Sequence, residues 1–172
     1  MSELRDFIPQ LHSGDKVNLS GVIFTARDAA HLRLMTLLDN GCSLPFDIRS
    51  TVLYYAGPSP EKPDGQIGSF GPTTSARMDK FSPRLLDLGL PGMIGKGERN
   101  SEVVDAIVRN RSVYFCACGG LGALISKSII SSEAVAFPEL GCESIKKLVV
   151  KEFPLIVAVD SYGNSIFDRN NG

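Results

Sequence analysis

Apolar residues recur with two different periods along the chain, which predicts alternating strands and helices. Residues 16–24 (KVNLSGVIF) place apolar and β-branched side chains on a two-residue period, as in a β-strand. Between Ala30 and Leu38 the apolar residues recur at helical spacing, and Asn40-Gly41 closes that helix. The chain therefore begins with a strand, a polar turn and a helix.

The same alternation continues to the C-terminus. Short apolar runs bounded by turn residues predict strands at residues 51–56, 112–117, 144–150 and 154–160, and helical patterns cover residues 73–88 and 101–109. Pro83 is a warning that the first of these helices breaks or kinks. No repeat or linker interrupts the pattern. The sequence predicts the α/β class, with residues 1–172 forming one compact layered domain.

Composition excludes several classes of function. The chain is 43% hydrophobic and 22% charged, as in ordinary globular proteins, and its net charge is −1 with dispersed lysines and arginines. No basic stripe favours nucleic acid or an anionic membrane. The N-terminus lacks the apolar core of a signal peptide, and the longest apolar run, residues 113–125, is too short to span a bilayer. We expect a cytoplasmic protein.

The cysteines do not predict a metal site. Only Cys116 and Cys118 are close in sequence, and on a strand both thiols would point to one face instead of forming a C-x-x-C turn. We expect all four cysteines, including Cys42 and Cys142, to be small buried apolar residues.

Residues 65–80 (GQIGSFGPTTSARMDK) carry a candidate anion-binding site. Glycines and Pro72 precede Thr73 and Thr74, and Arg77 follows one helical turn later. A helix starting here would direct free N–H groups, a positive dipole end and a guanidinium at a carboxylate or phosphate. The alternative is a threonine helix cap with a solvated arginine, and the spacing does not choose between them.

Arg27 lies where the first strand meets the first helix, a position at which α/β folds hold ligands. It could equally pair with Asp28 or another acid. His31 follows one turn later and could line the same pocket or be a satisfied helix histidine.

Lys96 stands between Gly95 and Gly97, so a tight turn could bring its ammonium to a carboxylate. As an isolated observation, an exposed turn lysine is the favoured interpretation. The run at residues 119–122 is weak evidence for a glycine-rich binding loop, and residues 57–66 could form a lid or a plain connector.

Five ordered motifs together carry a family resemblance. They are SGVIFTARDAAH at residues 20–31, YYAGP at 54–58, IGSFGPTTSARMD at 67–79, GMIGKG at 92–97 and EFPLIVAVDSYGN at 152–164. Together they closely resemble the β subunit, or C-terminal domain, of class I iron–sulfur hydro-lyases, namely fumarate hydratase and L-tartrate dehydratase. The match covers nearly the whole chain.

The resemblance implies a swivelling β/β/α-type domain that closes against a larger α subunit, in an α2β2 assembly. In the family that subunit holds a [4Fe–4S] cluster through three cysteines, so this chain would supply no metal ligand and be inactive alone. The implied activity is hydration of fumarate to L-malate. The nearest alternative is dehydration of L-tartrate to oxaloacetate, and a binding domain without catalysis is a third possibility.

The resemblance also assigns roles to Arg27, Thr73, Thr74, Arg77 and Lys96. Lys96 and the two arginines would supply cations for the carboxylates of the substrate and for the negative charge that develops as the C3 proton leaves. Thr74 would hold a carboxylate oxygen, and Thr73 is the family's proposed base. A threonine hydroxyl is a poor base unless nearby cations favour its alkoxide or a carboxylate relays its proton.

Overall fold

The computed structural model describes residues 2–59, 63–64, 68–117 and 122–168, which form eight β-strands and five α-helices. The strands are β1 (Lys16–Thr25), β2 (Val52–Tyr54), β3 (Ala56–Pro58), β4 (Phe70–Pro72), β5 (Gly92–Gly95), β6 (Val113–Ala117), β7 (Ile129–Ala136) and β8 (Ile145–Val159). The helices are α1 (Ser2–Phe7), α2 (Asp28–Asp39), α3 (Ser82–Asp87), α4 (Ser101–Asn110) and α5 (Gly122–Ser128).

The main sheet closes on itself. Its strand order is β1-β2-β5-β6-β8-β7, and β1 also pairs with β8 along an antiparallel ladder, whereas β3 and β4 form a separate pair. The strands β1, β2, β5 and β6 run parallel to one another, so their carboxyl ends share one edge. The α/β class and the single compact layered domain are confirmed.

Both faces of the sheet are buried. Successive strand residues point to opposite faces, and accordingly Tyr54 and Ile94 belong to one hydrophobic cluster while Leu53 and Met93 belong to the other. The second cluster includes buried residues of α2, α3 and α4. Burial on two faces explains why the parallel strands β2 and β6 appear in the sequence as continuous apolar runs.

Two of the three predicted helices form near their predicted bounds. They are α2 and α4, and the side chain of Asn100 caps α4 by accepting a hydrogen bond from the Val103 N–H at 2.9 Å. The predicted helix at residues 73–88 is wrong. A 3₁₀ turn (Ser75–Met78) comes first and α3 begins separately at Ser82, because Pro83 lacks an N–H and fits only the first turn of a helix.

The predicted bounds of three strands are also wrong. The run at residues 51–56 is divided into β2 and β3 at Tyr55, and the two runs at 144–150 and 154–160 form the single strand β8. Pro154 does not break β8, because it lies between the segments that pair with β7 and with β6.

The cysteine prediction is wrong for Cys42 and Cys142, which are exposed, and Cys116 is half-buried on β6. Cys118, residues 119–121 and residues 60–62 and 65–66 of the possible lid lie outside the described residues. Within the described ranges, no helix is long and apolar enough to cross a membrane.

Gly95 provides a test of packing at the end of β5. A Cβ atom there would lie 1.9 Å from the Ser75 Oγ, whereas a Cβ on Gly92 of the same strand would make ordinary 3.5 Å contacts. We expect Gly95→Ala to lower the free energy of unfolding by about 3 kcal/mol, at the upper end of the overpacking range. Gly92→Ala is the matched control and should change it by less than about 1 kcal/mol. Denaturant unfolding measures both, and equal effects would contradict this packing.

Candidate active site

The strands deliver the candidate residues to the shared carboxyl edge of the sheet. Arg27 follows β1, Thr73 follows β4, and Lys96 directly follows β5. The Thr73 N–H donates to the Tyr55 carbonyl at 2.8 Å, and Tyr55 itself follows β2. These backbone positions therefore converge although they are far apart in sequence.

Thr74 and Lys96 are joined directly by a parallel β-bridge. The Ser75 N–H donates to the Lys96 carbonyl at 3.0 Å, and the Lys96 N–H donates to the Ser75 Oγ at 3.1 Å. Gly97 has a φ of +86°, which favours glycine, and turns the chain immediately afterwards. Lys96 is thus an exposed turn lysine and is also fixed beside the two threonines.

Arg77 reaches the first turn of α2. Its Nε lies 3.2 Å from the Asp28 Oδ1, with the two side chains 51% and 39% exposed. An ion pair this exposed contributes about 0–1 kcal/mol, so an incoming carboxylate can displace Asp28 at little cost. Thr74 precedes the 3₁₀ turn but makes no side-chain capping bond. The alternative of a threonine helix cap with a solvated arginine is therefore not the observed arrangement.

The predicted α-helix N-terminus for an anion is also absent at Thr73 and Thr74, because only one 3₁₀ turn follows them. Any anion held here would rely on the side-chain cations and individual N–H groups.

Arg27 passes over Gly57, which leaves room for it. A Cβ on Gly57 would lie 3.0 Å from the Arg27 Cδ and Nη1 and 3.1 Å from the Cys142 carbonyl oxygen. The Arg27 Nε is buried and has no hydrogen-bond partner among the described residues, where Arg27 also makes no ion pair. Asp28 pairs with Arg77 instead. A buried donor without an acceptor is costly, so the Arg27 guanidinium is available to an anionic ligand.

His31 lies beneath Arg27 and is fully buried between the rings of Tyr55 and Phe81. Its Nδ1 is 2.8 Å from the Arg27 carbonyl oxygen, which can only accept, so Nδ1 carries the proton. Burial lowers the pKa of His31 to about 4, although the bond to Arg27 opposes that change. His31 is therefore neutral near pH 7 and supports the backbone of Arg27.

A buried ion pair underlies the site. The Arg99 Nε lies 2.6 Å from the Asp79 Oδ1, with the side chains 0% and 8% exposed, and Arg99 also donates to the Ser82 Oγ at 2.7 Å. The second carboxylate oxygen of Asp79 accepts the Asn100 N–H at 2.9 Å. The segment after the threonines is thereby tied to the segment after Lys96.

This network was not predicted from the sequence. The signal for Asp79 and Arg99 was available, because Asp79 ends one motif and Arg99 lies two residues after another. Tyr114, whose ring lies 4.7 Å from the Arg99 guanidinium, gave no signal because tyrosine is common in apolar strands.

The assembled edge presents Arg27, Arg77 and Lys96 with two threonine hydroxyls. Such a set suits a small molecule that carries two carboxylates. Among the described residues, no group of three or more His, Cys, Asp and Glu side chains is placed to hold a metal ion.

Comparison with known proteins then defines the class. The family model described as Fumarase C-terminus matches residues 1–170. The chain belongs to this family, as its five motifs indicated.

Two kinds of relative share the match. The chain is 38% identical over 172 residues to "Fumarate hydratase class I, aerobic" of Escherichia coli, covering 98% of this chain and 31% of that protein. It is 36% identical to "Fumarate hydratase 2" of Leishmania major, with 30% of that protein covered. It is 39% identical over 170 residues to "Putative L(+)-tartrate dehydratase subunit beta" of Methanocaldococcus jannaschii, covering 95% of this chain and 87% of that protein. The chain thus spans about a third of the fumarate hydratases and most of the tartrate dehydratase subunit.

The burial of His31 predicts a pH dependence of stability. The folded-state pKa lies below the unfolded value, so the unfolded chain takes up a proton first and stability is lost as pH falls from about 6.5 towards 4. Between about pH 7.5 and pH 5 this contribution should fall by about 2 kcal/mol. Denaturant unfolding at both pH values should show that loss reduced in His31→Gln but retained in His12→Gln, which changes an exposed histidine. Equal pH dependence in the two variants would contradict the assignment.

Proposed function

We propose that this chain is one catalytic domain, residues 1–172, of a hydro-lyase that reversibly hydrates fumarate to L-malate. It would act as the β subunit and share its active site with an α subunit in the cytoplasm. The observation that carries the proposal is the bridge that joins Thr74 to Lys96 beside Thr73, because it unites the two motifs to which the family resemblance assigns catalysis. Membership of the family supports it.

The cations would have separate tasks. Arg27, with its unpartnered buried Nε, and Arg77, held only by an exposed carboxylate, would bind the two carboxylates of the substrate, with Thr74 donating to one oxygen. Lys96 would stabilise the negative charge that spreads onto the carboxylate as the C3 proton leaves. In dehydration the C3–H bond breaks to give its electron pair to the new double bond, and the C2–O bond breaks as the hydroxyl takes a proton from an acid that the α subunit would supply and leaves as water.

Thr73 would receive the C3 proton. Its hydroxyl donates to the Tyr55 carbonyl at 3.2 Å, so its own proton is directed away and its lone pairs are available to a ligand. Because a neutral hydroxyl cannot take up a second proton, Thr73 must first lose its own proton and with it the hydrogen bond to Tyr55. Either the positive field of Lys96 and Arg77 would favour the alkoxide, with that proton released to solvent, or a carboxylate would relay the proton.

The iron–sulfur cluster implied by the resemblance does not fit the described part of this chain. Cys42 and Cys142 are exposed, and no group of three suitable side chains occurs among the described residues. We propose that the α subunit holds the [4Fe–4S] cluster, where it would act as a Lewis acid on the substrate hydroxyl. The roles given to this chain require no step at the cluster.

L-Tartrate dehydration to oxaloacetate is the second candidate. This chain covers 87% of a relative that is named as a tartrate dehydratase subunit. That coverage favours a separate subunit of the same kind. The same cations would suit L-tartrate, which has one hydroxyl more than L-malate. A domain that only binds dicarboxylates would use them as well.

The test is anaerobic hydration of fumarate, with L-tartrate dehydration in parallel, by this chain with and without its α partner after cluster reconstitution. Activity only in the mixture with fumarate preferred is the expected result. Preference for tartrate would change the substrate and keep the site. An intact complex active on neither substrate would refute catalysis of these reactions.

Lys96→Ala should lower kcat/KM of the assembled enzyme by about three powers of ten, because charge stabilisation in the transition state is lost. Lys16→Ala removes an exposed lysine at the opposite end of β1 and should leave the rate unchanged. Steady-state kinetics measure both. Near-normal turnover of the Lys96 variant would remove Lys96 from the site.

Thr73→Val keeps the shape of the side chain and removes its hydroxyl, so it should lower kcat by about 10² or more, whereas Thr73→Ser should retain most activity. Thr51→Val is the control, since the buried Thr51 hydroxyl donates to the Asp47 carbonyl at 2.6 Å away from the site. Exchange of the malate C3 proton with deuterated solvent should fall in parallel with kcat. Normal exchange in Thr73→Val would exclude Thr73 as the base.

A further inference from the structure

We propose that Ser75 and Tyr114 are positioning residues whose hydroxyl groups hold the backbone of Lys96. This inference rests on the proposed function, because it concerns the lysine that would stabilise the transition state. Neither residue is one of those to which the family resemblance gives a role.

Three hydrogen bonds form a continuous chain. The Lys96 N–H lies 3.1 Å from the Ser75 Oγ, the Ser75 Oγ lies 2.8 Å from the Tyr114 hydroxyl, and that hydroxyl lies 2.8 Å from the Gly97 carbonyl oxygen. The Ser75 N–H also donates to the Lys96 carbonyl. Both polar groups of the Lys96 backbone and the carbonyl of the next residue are therefore bonded. We call this arrangement the Lys96 clamp.

The direction of each bond follows from the groups involved. A carbonyl can only accept, so the single proton of Tyr114 goes to Gly97, and the Ser75 hydroxyl donates to the Tyr114 oxygen. The Ser75 oxygen then accepts the Lys96 N–H. Burial raises the pKa of the Tyr114 hydroxyl above its usual range, so that proton is retained at neutral pH.

The clamp is built where water does not compete with it. Ser75 and Tyr114 are both fully buried. Gly95 lets the Ser75 hydroxyl approach, since a Cβ at Gly95 would lie 1.9 Å from it. The Arg99 guanidinium packs against the Tyr114 ring, with 4.7 Å to its centre, and is fixed by Asp79. Loss of one hydroxyl would leave buried polar groups without partners.

Lys96 needs such support because its side chain is exposed and flexible and Gly97 allows the turn to move. Displacement of a reacting group by about 1 Å can cost about 10²-fold in rate. A fixed backbone restricts the positions that the ammonium can reach. The expected result of losing the clamp is therefore a fall in kcat, not a loss of substrate binding.

The test uses the reconstituted complex with fumarate. Tyr114→Phe and Ser75→Ala should each lower kcat about ten- to a hundredfold with KM changed less than about threefold. Ser112→Ala is the matched control, since Ser112 is also fully buried and its hydroxyl donates to the Leu90 carbonyl at 2.8 Å, before the start of β5. It should lose similar thermal stability and keep its kcat. Equal kcat losses in the Ser75 and Ser112 variants would overturn the proposal.

Two further readouts separate positioning from general destabilisation. Amide hydrogen exchange of Lys96 in this chain alone should accelerate at least about tenfold in Tyr114→Phe and Ser75→Ala, with the amide of Met93 unchanged. In a Lys96→Ala background, Tyr114→Phe should cost little additional kcat, because no ammonium remains to be positioned. Unchanged Lys96 exchange, or additive losses, would refute the clamp. If the unmodified complex proves inactive on fumarate, the proposed function fails and the exchange result decides the clamp by itself.

Discussion

The parallel pairing of Thr74 with Lys96 is the contact on which the site depends. It joins two segments that follow different strands, and the closed sheet makes it possible by ending β1, β2 and β5 at one edge. Without that pairing, the threonines and the lysine would belong to separate surface loops. A ligand that needs a hydroxyl and an ammonium together could then not find them in fixed positions.

The same edge illustrates how a chain of nearly neutral net charge can still offer a cationic site. Within the part of the chain that the structure describes, Arg99 carries the one fully buried positive charge. It pairs with Asp79 and packs against two tyrosine rings, so it holds the fold together and is not available to a ligand. Arg27 and Lys96 make no ion pair among the described residues, and Arg77 has an exposed partner there. These three cations are therefore available at the edge of the sheet where we propose that a dicarboxylate binds.

Much of the fold could be predicted from the sequence, because burial on two faces gives strands continuous apolar runs and α2 and α4 carry clear helical patterns. The prediction of a helix from Thr73 was wrong because glycine and proline mark a turn without specifying the element that follows it. The division of the 51–56 run and the union of the last two strands depend on pairing partners that are distant in sequence, which local patterns do not contain.

Some residues of the candidate site could be predicted from the sequence and others could not, for a related reason. Arg27, Thr73, Thr74, Arg77 and Lys96 stand in glycine-rich or boundary motifs, which attract attention. Ser75 and Tyr114 act through bonds to main-chain atoms, and a buried hydroxyl looks in sequence like that of any other buried residue. His31 was a candidate in the sequence, but its bond to the Arg27 carbonyl was not predictable from the sequence. Only the folded chain reveals which carbonyl or N–H each one meets.

We propose that this chain supplies the carboxylate-binding half of a shared active site. An anaerobic crystal structure of the reconstituted complex with L-malate bound would show whether it does. We expect carboxylate oxygens of malate within hydrogen-bond distance of Arg27 and Arg77, with the Lys96 ammonium beside the C3 end. A malate whose carboxylates contact only the α subunit, with Arg77 still paired to Asp28, would contradict it.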